Sequence, residues 1–155
     1  MRKVITFGND AYFVTDVNRF ISHTPKVGNG KRYMYKFSCV SERNVFENPG
    51  KKFGIVGAGH LDDLMYLFHS KVFNIKLEKN TKEYELVNLV CKVFTNFAKF
   101  GTPTPDASLG VVWPEYDTAS KRYVDIGDSL TVASDPDAEA VKFWKSVFEF
   151  AGLEW

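Results

Sequence analysis

The spacing of apolar residues near the start of the chain predicts a helix. Its apolar positions, which share one helical face, are Phe13, Val17, Phe20 and Ile21. Asn9 or Asp10 precedes this face as a candidate N-cap, because a short polar side chain can accept a hydrogen bond from the first turn. Pro25 cannot continue a helix. We therefore expect a helix that begins near Asn9 and ends before Pro25.

Alternation of period two follows and predicts strands. From Arg32 to Val40, apolar positions alternate with polar ones, which is the pattern of a buried strand. The apolar members are Tyr33, Tyr35, Phe37 and Cys39. A charged stretch with a Pro and a Gly, residues 41–53, indicates a loop. A second strand is expected from Phe53 to Val56, before a glycine turn and a helical turn that bears Leu64, Tyr66, Leu67 and Phe68.

The second half of the chain contains the clearest helical pattern. Asn80 at the cap with Glu83 three residues later resembles a capping box, and Gly101 followed by Pro103 is a termination signal. Between them the apolar residues form one stripe. Its members are Leu86, Val90, Val93, Phe94 and Phe97. We expect one long helix here.

After this helix the pattern predicts a loop, one short strand and a last helix. Residues 102–120 are rich in proline around Trp113, Tyr123 to Ile126 has the pattern of a strand, and Asp135 with Pro136 opens a helix. The apolar positions of that helix are Val141, Trp144, Phe148 and Ala151. No internal repeat and no low-complexity tract interrupts the chain, so we expect residues 1–155 to be one segment with no second domain.

Composition excludes some function classes. The 155 residues are 45% hydrophobic and carry a formal charge of +1, which gives no electrostatic reason to expect nucleic acid or an anionic membrane as partner. Met1 to Phe7 lacks the apolar core of a signal peptide, and no apolar run reaches the length of a bilayer span. The compartment is therefore left open. No residue pattern calls for a metal or an organic cofactor.

The two cysteines and one glycine turn each allow two interpretations. Cys39 and Cys91 could pair, but two buried thiols are the favoured expectation because free cysteine packs as a small apolar residue. The turn Gly57-Ala58-Gly59 invites comparison with a dinucleotide-binding motif. That motif needs a third glycine where Asp62 stands, and acidic residues would oppose a pyrophosphate there. The nucleotide interpretation is therefore disfavoured.

Residues 57–68 resemble a known enzyme family. The run Gly-Ala-Gly-His-Leu-Asp-Asp-Leu-Met-Tyr-Leu-Phe is similar to the segment around the catalytic histidine of type-B carboxylesterases and cholinesterases, where G-x-x-H precedes an acidic pair and an aromatic-aliphatic stretch. Residues 94–105, 113–116 and 143–144 resemble that family's succession after the histidine. Upstream, the predicted helix around Asp10 and the predicted strand at residues 33–37 resemble the helix and strand that precede the histidine in that family. Details of the helix after the histidine resemble insect α-esterases.

The resemblance implies a fold and a role for one residue. It implies the C-terminal part of an α/β-hydrolase, an α/β fold with an incomplete sheet and flanking helices. His60 would be the general base and acid of a serine triad. Gly59 and Leu61 would neighbour the substrate pocket, and Asp62 with Asp63 would hold the loop rather than take part in the chemistry. His23 and His69 lack such a motif and are expected to be structural or exposed.

The same resemblance shows what the sequence lacks. In α/β-hydrolases the triad runs Ser, acid, His, and the serine stands in G-x-S-x-G. Neither Ser108 nor Ser129 has glycines at both flanking positions. In that family the acid precedes the histidine by more residues than this chain has before His60, so the resemblance places the acid outside the chain. Glu42 and Glu47 could be proposed as substitutes, but both are expected to be solvated.

Two functions remain open at this point. In the first, the chain is the histidine-bearing part of a serine carboxylic-ester hydrolase, inactive alone, whose substrate in the longer protein is a small-molecule carboxylic ester. In the second, it derives from a non-catalytic, cholinesterase-like adhesion or interaction protein. The coding sequence upstream, with or without an in-frame G-x-S-x-G and an acid, distinguishes them.

Overall fold

The computed structural model describes residues 2–24, 28–46 and 48–155. Its helices and strands follow in one list: α1 Arg2–Asn9, a π-helical turn Asp10–Val14, α2 Thr15–His23, β1 Tyr35–Phe37, α3 Asn48–Lys51, α4 Leu64–Leu67, α5 Lys82–Phe100, a 3-10 turn Ala107–Leu109, β2 Arg122–Ile126, β3 Leu130–Ser134 and α6 Ala138–Phe150.

The first helix begins earlier than expected. Asn9 has helical backbone angles and its side chain makes no capping bond, so α1, the π-helical turn and α2 are continuous. The expected start at Asn9 or Asp10 is therefore wrong. Residues 2–9 are themselves helical, so Asn9 and Asp10 lie inside a helix. A polar residue there resembles an N-cap only if the residues before it are not helical. The helix ends at His23, and Pro25 lies outside the described residues.

Within the described residues the sheet has three strands in the order β1-β2-β3, with β1 parallel to β2 and β2 antiparallel to β3. The expected strand from Arg32 to Val40 is regular only at Tyr35–Phe37. It ends there because the N–H groups of Ser38 and Cys39 both donate to the carbonyl of Ile126. Tyr35 is exposed, so this strand is less buried than expected.

Strand β2 confirms the expected strand at Tyr123–Ile126, whereas β3 was not expected. Only Leu130 is buried in β3, and Val132 and Ser134 on the same face of the strand are exposed, so both faces are largely open to solvent. Its residues therefore show little of the alternation that marks a half-buried strand. The loop between β2 and β3, with Gly127 and Asp128, was the available signal of a hairpin.

The expected strand Phe53–Val56 is not formed. The N–H groups of Phe53 and Gly54 donate to Gly50 and Lys51 at 2.9 and 3.0 Å, and Gly54 has a φ of +70°. These bonds close a turn directly after α3, a short helix inside the stretch that was expected to be a loop. A strand needs a neighbour for its ladder, and β1 pairs with β2 instead.

The long helix α5 matches its predicted stripe but not its predicted cap. The Thr81 hydroxyl accepts from the N–H of Tyr84 at 3.2 Å, and Asn80 has a φ of +63°. The expected cap at Asn80 is therefore wrong: the cap is Thr81, and no capping box forms because Tyr84 stands where one would need Glu or Gln. Gly101 ends the helix with a φ of +67°, the left-handed conformation expected of a C-terminal glycine. Leu86, Val90 and Val93 are buried, whereas Phe97 is exposed.

One hydrophobic core lies between α4, α5 and the sheet. Its buried members are Cys39, Met65, Tyr66, Leu86, Val90, Val93, Trp113, Val124, Ile126 and Leu130. Both cysteines are free, as the favoured expectation had it, but only Cys39 is buried and Cys91 is partly buried.

The last helix packs on the first rather than on this core. Helix α6 contains the expected Val141, Trp144 and Phe148. The Trp144 ring lies 5.3 Å from that of Phe7, and the Arg19 guanidinium lies 4.4 Å from the ring of Phe148. The terminal helices therefore form a pair beside the core.

Candidate active site

His60 stands at the tip of a tight turn. The N–H of Asp62 donates to the carbonyl of Gly59 at 3.1 Å, which makes His60 and Leu61 the two central residues. Leu61 has a φ of +74°, the sign that a type II turn requires at its third position. A leucine in this conformation is strained by about 1–2 kcal/mol relative to ordinary backbone. The strained residue is one that the resemblance places beside the substrate pocket. The His60 side chain, at the other central position of the turn, is exposed.

The carboxylate of Asp62 holds this turn through two buried hydrogen bonds. Asp62 is 0% exposed, and its two oxygens accept from the N–H of Gly59 at 2.6 Å and from the N–H of Phe46 at 2.9 Å. An ionised carboxylate is an acceptor only, so two backbone donors satisfy it well. Asp62 therefore holds the loop as expected, though as a buried bridge to residue 46 rather than as a charge at the helix N-terminus.

A second set of bonds joins the segment after His60 to the same loop, residues 41–46. The Tyr66 hydroxyl donates to Asn44 Oδ1 at 2.8 Å and lies 2.7 Å from the Ser41 hydroxyl. Asn44 Nδ2 donates to the carbonyl of Cys39 at 2.9 Å. Burial raises the pKa of Tyr66 well above its usual value, so the hydroxyl stays protonated. Together with Asp62, this network fixes the position of the turn.

Arg43 adds a third link. Its Nε donates to the carbonyl of Met65 at 2.9 Å, and its Nη2 donates to the same oxygen. That carbonyl belongs to α4, a helix of four residues that cannot satisfy its own last carbonyls. The buried guanidinium therefore stabilises the short helix that follows the histidine.

The His60 ring itself touches the first helix. Its centroid lies 4.5 Å from that of Phe13 with an interplanar angle of 33°. Phe13 belongs to the π-helical turn, a distortion that frequently occurs at functional sites. One face of the imidazole is thus covered. Among the described residues no carboxylate forms an ion pair with His60, and no hydrogen bond to its ring is present.

Asp63 is linked to the sheet instead. The Tyr35 hydroxyl donates to Asp63 Oδ2 at 3.1 Å. Partial burial, together with the Asp63 charge, raises the pKa of Tyr35 to about 12. The bond ties β1 to the residue directly before α4, so Asp63 also positions the segment. The Asp63 side chain makes no helix-capping bond.

The other residues considered from the sequence lie elsewhere. His23 ends α2 and its Nε2 contacts the carbonyl of Trp155, and His69 is exposed after α4. Glu42 is exposed, and Glu47 lies outside the described residues. Ser108 and Ser129 are exposed, on the 3-10 turn and in the loop before β3.

Two negative observations hold for the residues that the structure describes. They include no group of three or more histidine, cysteine, aspartate or glutamate side chains that could hold a metal ion. None of their helices combines the length and the apolar character needed to cross a bilayer.

Phe13 and Tyr35 were not identified as site residues from the sequence. The spacing predicts a helix at Phe13 and a strand at Tyr35, and both elements form, but both side chains are more exposed than that pattern indicates. Their contacts with His60 and Asp63 join residues 47 and 28 positions apart. Periodicity describes only neighbours along the chain, so no local signal marks such pairs.

Comparison with known proteins places this chain in a family. A model of the carboxylesterase family matches residues 1–144. Bile salt-activated lipase of Mus musculus is 28% identical over 153 residues, which cover 96% of this chain and 24% of the lipase. Acetylcholinesterase of Leptinotarsa decemlineata is 28% identical over 136 residues, 87% of this chain and 20% of that enzyme.

The fold agrees with the same family. Juvenile hormone esterase from Manduca sexta superposes with a TM-score of 0.74 at 25% identity, over 96% of this chain and 29% of that chain. The expected fold class, an incomplete α/β-hydrolase sheet with flanking helices, is confirmed. The chain spans about a quarter of the length of these relatives. By its sequence and its fold, the chain belongs to the carboxylesterase family.

Proposed function

We propose that this chain is the histidine-bearing, C-terminal segment of a serine carboxylic-ester hydrolase, and that residues 1–155 contain no second domain. The observation that carries the proposal is the exposed His60 on a turn held by buried bonds, within a sequence that matches the carboxylesterase family. The serine and the acid would come from parts of the protein outside this sequence.

His60 would move the proton of the reaction. As the serine attacks the ester carbonyl, one imidazole nitrogen accepts the hydroxyl proton, and the same nitrogen returns it to the leaving alcohol. The other nitrogen would bind the acid, which selects the tautomer. An exposed ring with one face covered by Phe13 leaves its edges free for both bonds.

The rigidity of the turn is what this role requires. A base displaced by about 1 Å from the reacting hydroxyl can lose on the order of 100-fold in rate. The buried carboxylate of Asp62 and the network around Tyr66 hold the turn from one side. Gly59 and Leu61, which flank His60, would lie beside the acyl or alcohol group of the ester.

The chain alone should not be a catalyst. With neither nucleophile nor oxyanion site, His60 would act as an unassisted base, whereas intact enzymes stripped of triad members keep about 10³ to 10⁴-fold acceleration from the oxyanion hole and binding. The purified chain should therefore hydrolyse a p-nitrophenyl ester no faster than free imidazole at equal concentration. Saturable turnover by the chain would contradict the proposal.

The second candidate function is a non-catalytic cholinesterase-like interaction domain, and the upstream coding sequence distinguishes it from the enzyme. If the coding sequence upstream contains a G-x-S-x-G motif and an acid in frame, the enzyme proposal is supported. If the serine is replaced, the interaction domain is the better account. No specific contact in the structure favours that second function, and an intact His60 turn is unneeded for it.

A further inference from the structure

We infer that Thr15 is a positioning residue for the reaction of His60, an inference that rests on the proposed function. Thr15 acts through Phe13, whose ring centroid lies 4.5 Å from that of the imidazole. The link between Thr15 and Phe13 is the π-helical turn Asp10–Val14, which contains Phe13 and ends directly before Thr15.

The side chain of Thr15 makes a hydrogen bond that belongs to the π register. Its hydroxyl donates to the carbonyl of Asp10 at 2.7 Å, and its own N–H donates to the same oxygen. In a regular α-helix a threonine hydroxyl bonds the carbonyl three or four residues before it, whereas here the acceptor is five residues before. Thr15 is 3% exposed, so water does not compete for this bond. The hydroxyl therefore stabilises the π turn rather than an α turn at the same place.

The contacts with α6 require one extra residue in the first helix. The Phe7 ring of α1 lies beside Trp144 of α6. Arg19 of α2 lies over the Phe148 ring, one turn further along the same face of α6. Each residue of an α-helix turns by about 100°, so residues 7 and 19 would point about 120° apart in a regular helix. A π turn takes up one residue more and reduces this angle to about 20°, so both ends of the helix can face α6.

Those two contacts do not determine where the extra residue is accommodated. A π turn anywhere between them would satisfy both, but a turn at another place would change the direction of Phe13 by up to about 100°. The Thr15 hydroxyl fixes the turn at Asp10–Val14, and the Phe13 ring then lies against His60 and limits how the imidazole rotates. Because a base displaced by about 1 Å can lose on the order of 100-fold in rate, this limit should affect turnover.

The test removes the hydroxyl and keeps the shape of the side chain. In the longer protein that completes the fold, Thr15→Val should lower kcat by about tenfold or more while KM changes by less than about threefold. Thr15→Ser keeps the hydroxyl and should retain kcat within about twofold. The ring-proton shifts of His60 should move in Thr15→Val and return in Thr15→Ser. A mere loss of folded protein would leave the shifts of the folded molecules where they are.

Two further variants act as the matched control and as the direct removal of the ring. Thr95→Val removes a hydroxyl that donates to the carbonyl of Cys91 at 2.7 Å, four residues before it in the regular helix α5. It should change neither kcat nor the His60 shifts. Phe13→Leu removes the aromatic face and should lower kcat as far as Thr15→Val does. Phe13 is 42% exposed, so this variant should fold.

A measurement on the wild-type chain covers the case in which Thr15→Val does not fold. Scalar coupling across a hydrogen bond identifies the carbonyl that accepts from a given N–H. The Thr15 N–H should couple to the carbonyl carbon of Asp10, as the π turn requires. Coupling to Ala11 instead would mean an α turn, for which the Thr15 hydroxyl has no such role.

The inference fails on any of four results. They are unmoved His60 shifts in a folded Thr15→Val variant, a wild-type kcat in that variant, a wild-type kcat in Phe13→Leu, and coupling of the Thr15 N–H to Ala11. A failure of the proposed function is recognised separately, because His60→Ala would then keep its turnover. The shifts and the coupling do not depend on catalysis and would still report on the π turn.

Discussion

The two sides of the His60 turn are built differently. On one side, residues 41–46 hold the turn through buried hydrogen bonds to Asp62 and Tyr66, beside a well-packed core. On the other side the paired terminal helices, α1 to α2 and α6, keep large apolar side chains in solvent. Those at least 40% exposed are Val4, Ile5, Phe7, Tyr12, Phe13, Val17, Phe20, Phe143, and Phe150.

This difference separates what fixes the histidine from what only touches it. The buried side determines where the backbone of residue 60 lies. A buried donor that loses its hydrogen-bond partner has no water to replace it, so these bonds are costly to break. The exposed side contributes one ring, Phe13, that limits how the imidazole turns. Changes on the buried side should therefore cost stability, and changes on the exposed side should alter the environment of the ring at little cost.

The largest effect should follow the loss of Asn44. Asn44→Ala removes the partners of the Ser41 N–H and the Cys39 carbonyl, and one of the two oxygen partners of the Tyr66 hydroxyl, which keeps Ser41. Buried groups left unmet cost about 1–3 kcal/mol each, so we expect the free energy of unfolding to fall by about 3 kcal/mol. Urea unfolding followed by fluorescence measures it. Asn88→Ala, exposed on α5, is the matched control and should stay within about 0.5 kcal/mol.

A smaller loss is expected for the bridge under the turn. Asp62→Asn replaces one acceptor oxygen by an NH₂ group that faces a backbone N–H, so stability should fall by about 2 kcal/mol. Hydrogen exchange at the amides of Gly59 and Phe46 should accelerate with it. Asp63→Asn keeps an oxygen for the Tyr35 hydroxyl and should cost much less. Equal losses in the two variants would mean that Asp62 does not hold the turn.

Stability should also depend on alkaline pH through the buried side. An unfolded tyrosine has a pKa of about 10. Partial burial together with the Asp63 charge raises the folded-state pKa of Tyr35 to about 12, and burial raises that of Tyr66 further. A raised pKa means that the folded chain binds more protons, so this stability is complete below about pH 10 and is lost as the pH rises through the folded values.

The matched variants isolate the two hydroxyls. Tyr35→Phe combined with Tyr66→Phe should lower stability at neutral pH but flatten its decline above about pH 10. Tyr12→Phe, on the exposed helix, should leave the slope unchanged. Urea midpoints measured from pH 8 to above pH 11 would show this. A decline of the same slope in the double variant would contradict the account.

The smallest effect should come from the exposed side. Phe13→Ala removes a ring that is 42% exposed, so we expect a loss of at most about 1 kcal/mol. The ring-proton shifts of His60 should nevertheless move, since an aromatic face 4.5 Å away is lost. Phe20→Ala, 71% exposed on the same helix, should change neither quantity. Unmoved His60 shifts in Phe13→Ala would show that the stacking does not persist in solution.

The same contrast explains what could be predicted from the sequence. The stripe of α5 and the strand β2 follow from burial on one face, which leaves a periodic record. Strand β3 buries only Leu130, and the expected strand at Phe53–Val56 lacks a partner in the sheet, so periodicity failed at both. His60 was identified through a resemblance to a family. The bond from Asp62 to Phe46 is a contact between distant residues, and no spacing encodes it.

The most direct test of the central claim is ester hydrolysis by a longer protein that contains this chain and completes the fold. We expect His60→Ala to lower kcat by on the order of 10⁴-fold or more, as removal of a triad histidine does. Because the side chain is exposed at a turn, the urea midpoint should hardly move, and His23→Ala and His69→Ala should keep the activity. A folded His60→Ala variant that keeps most of the wild-type turnover would contradict the assignment.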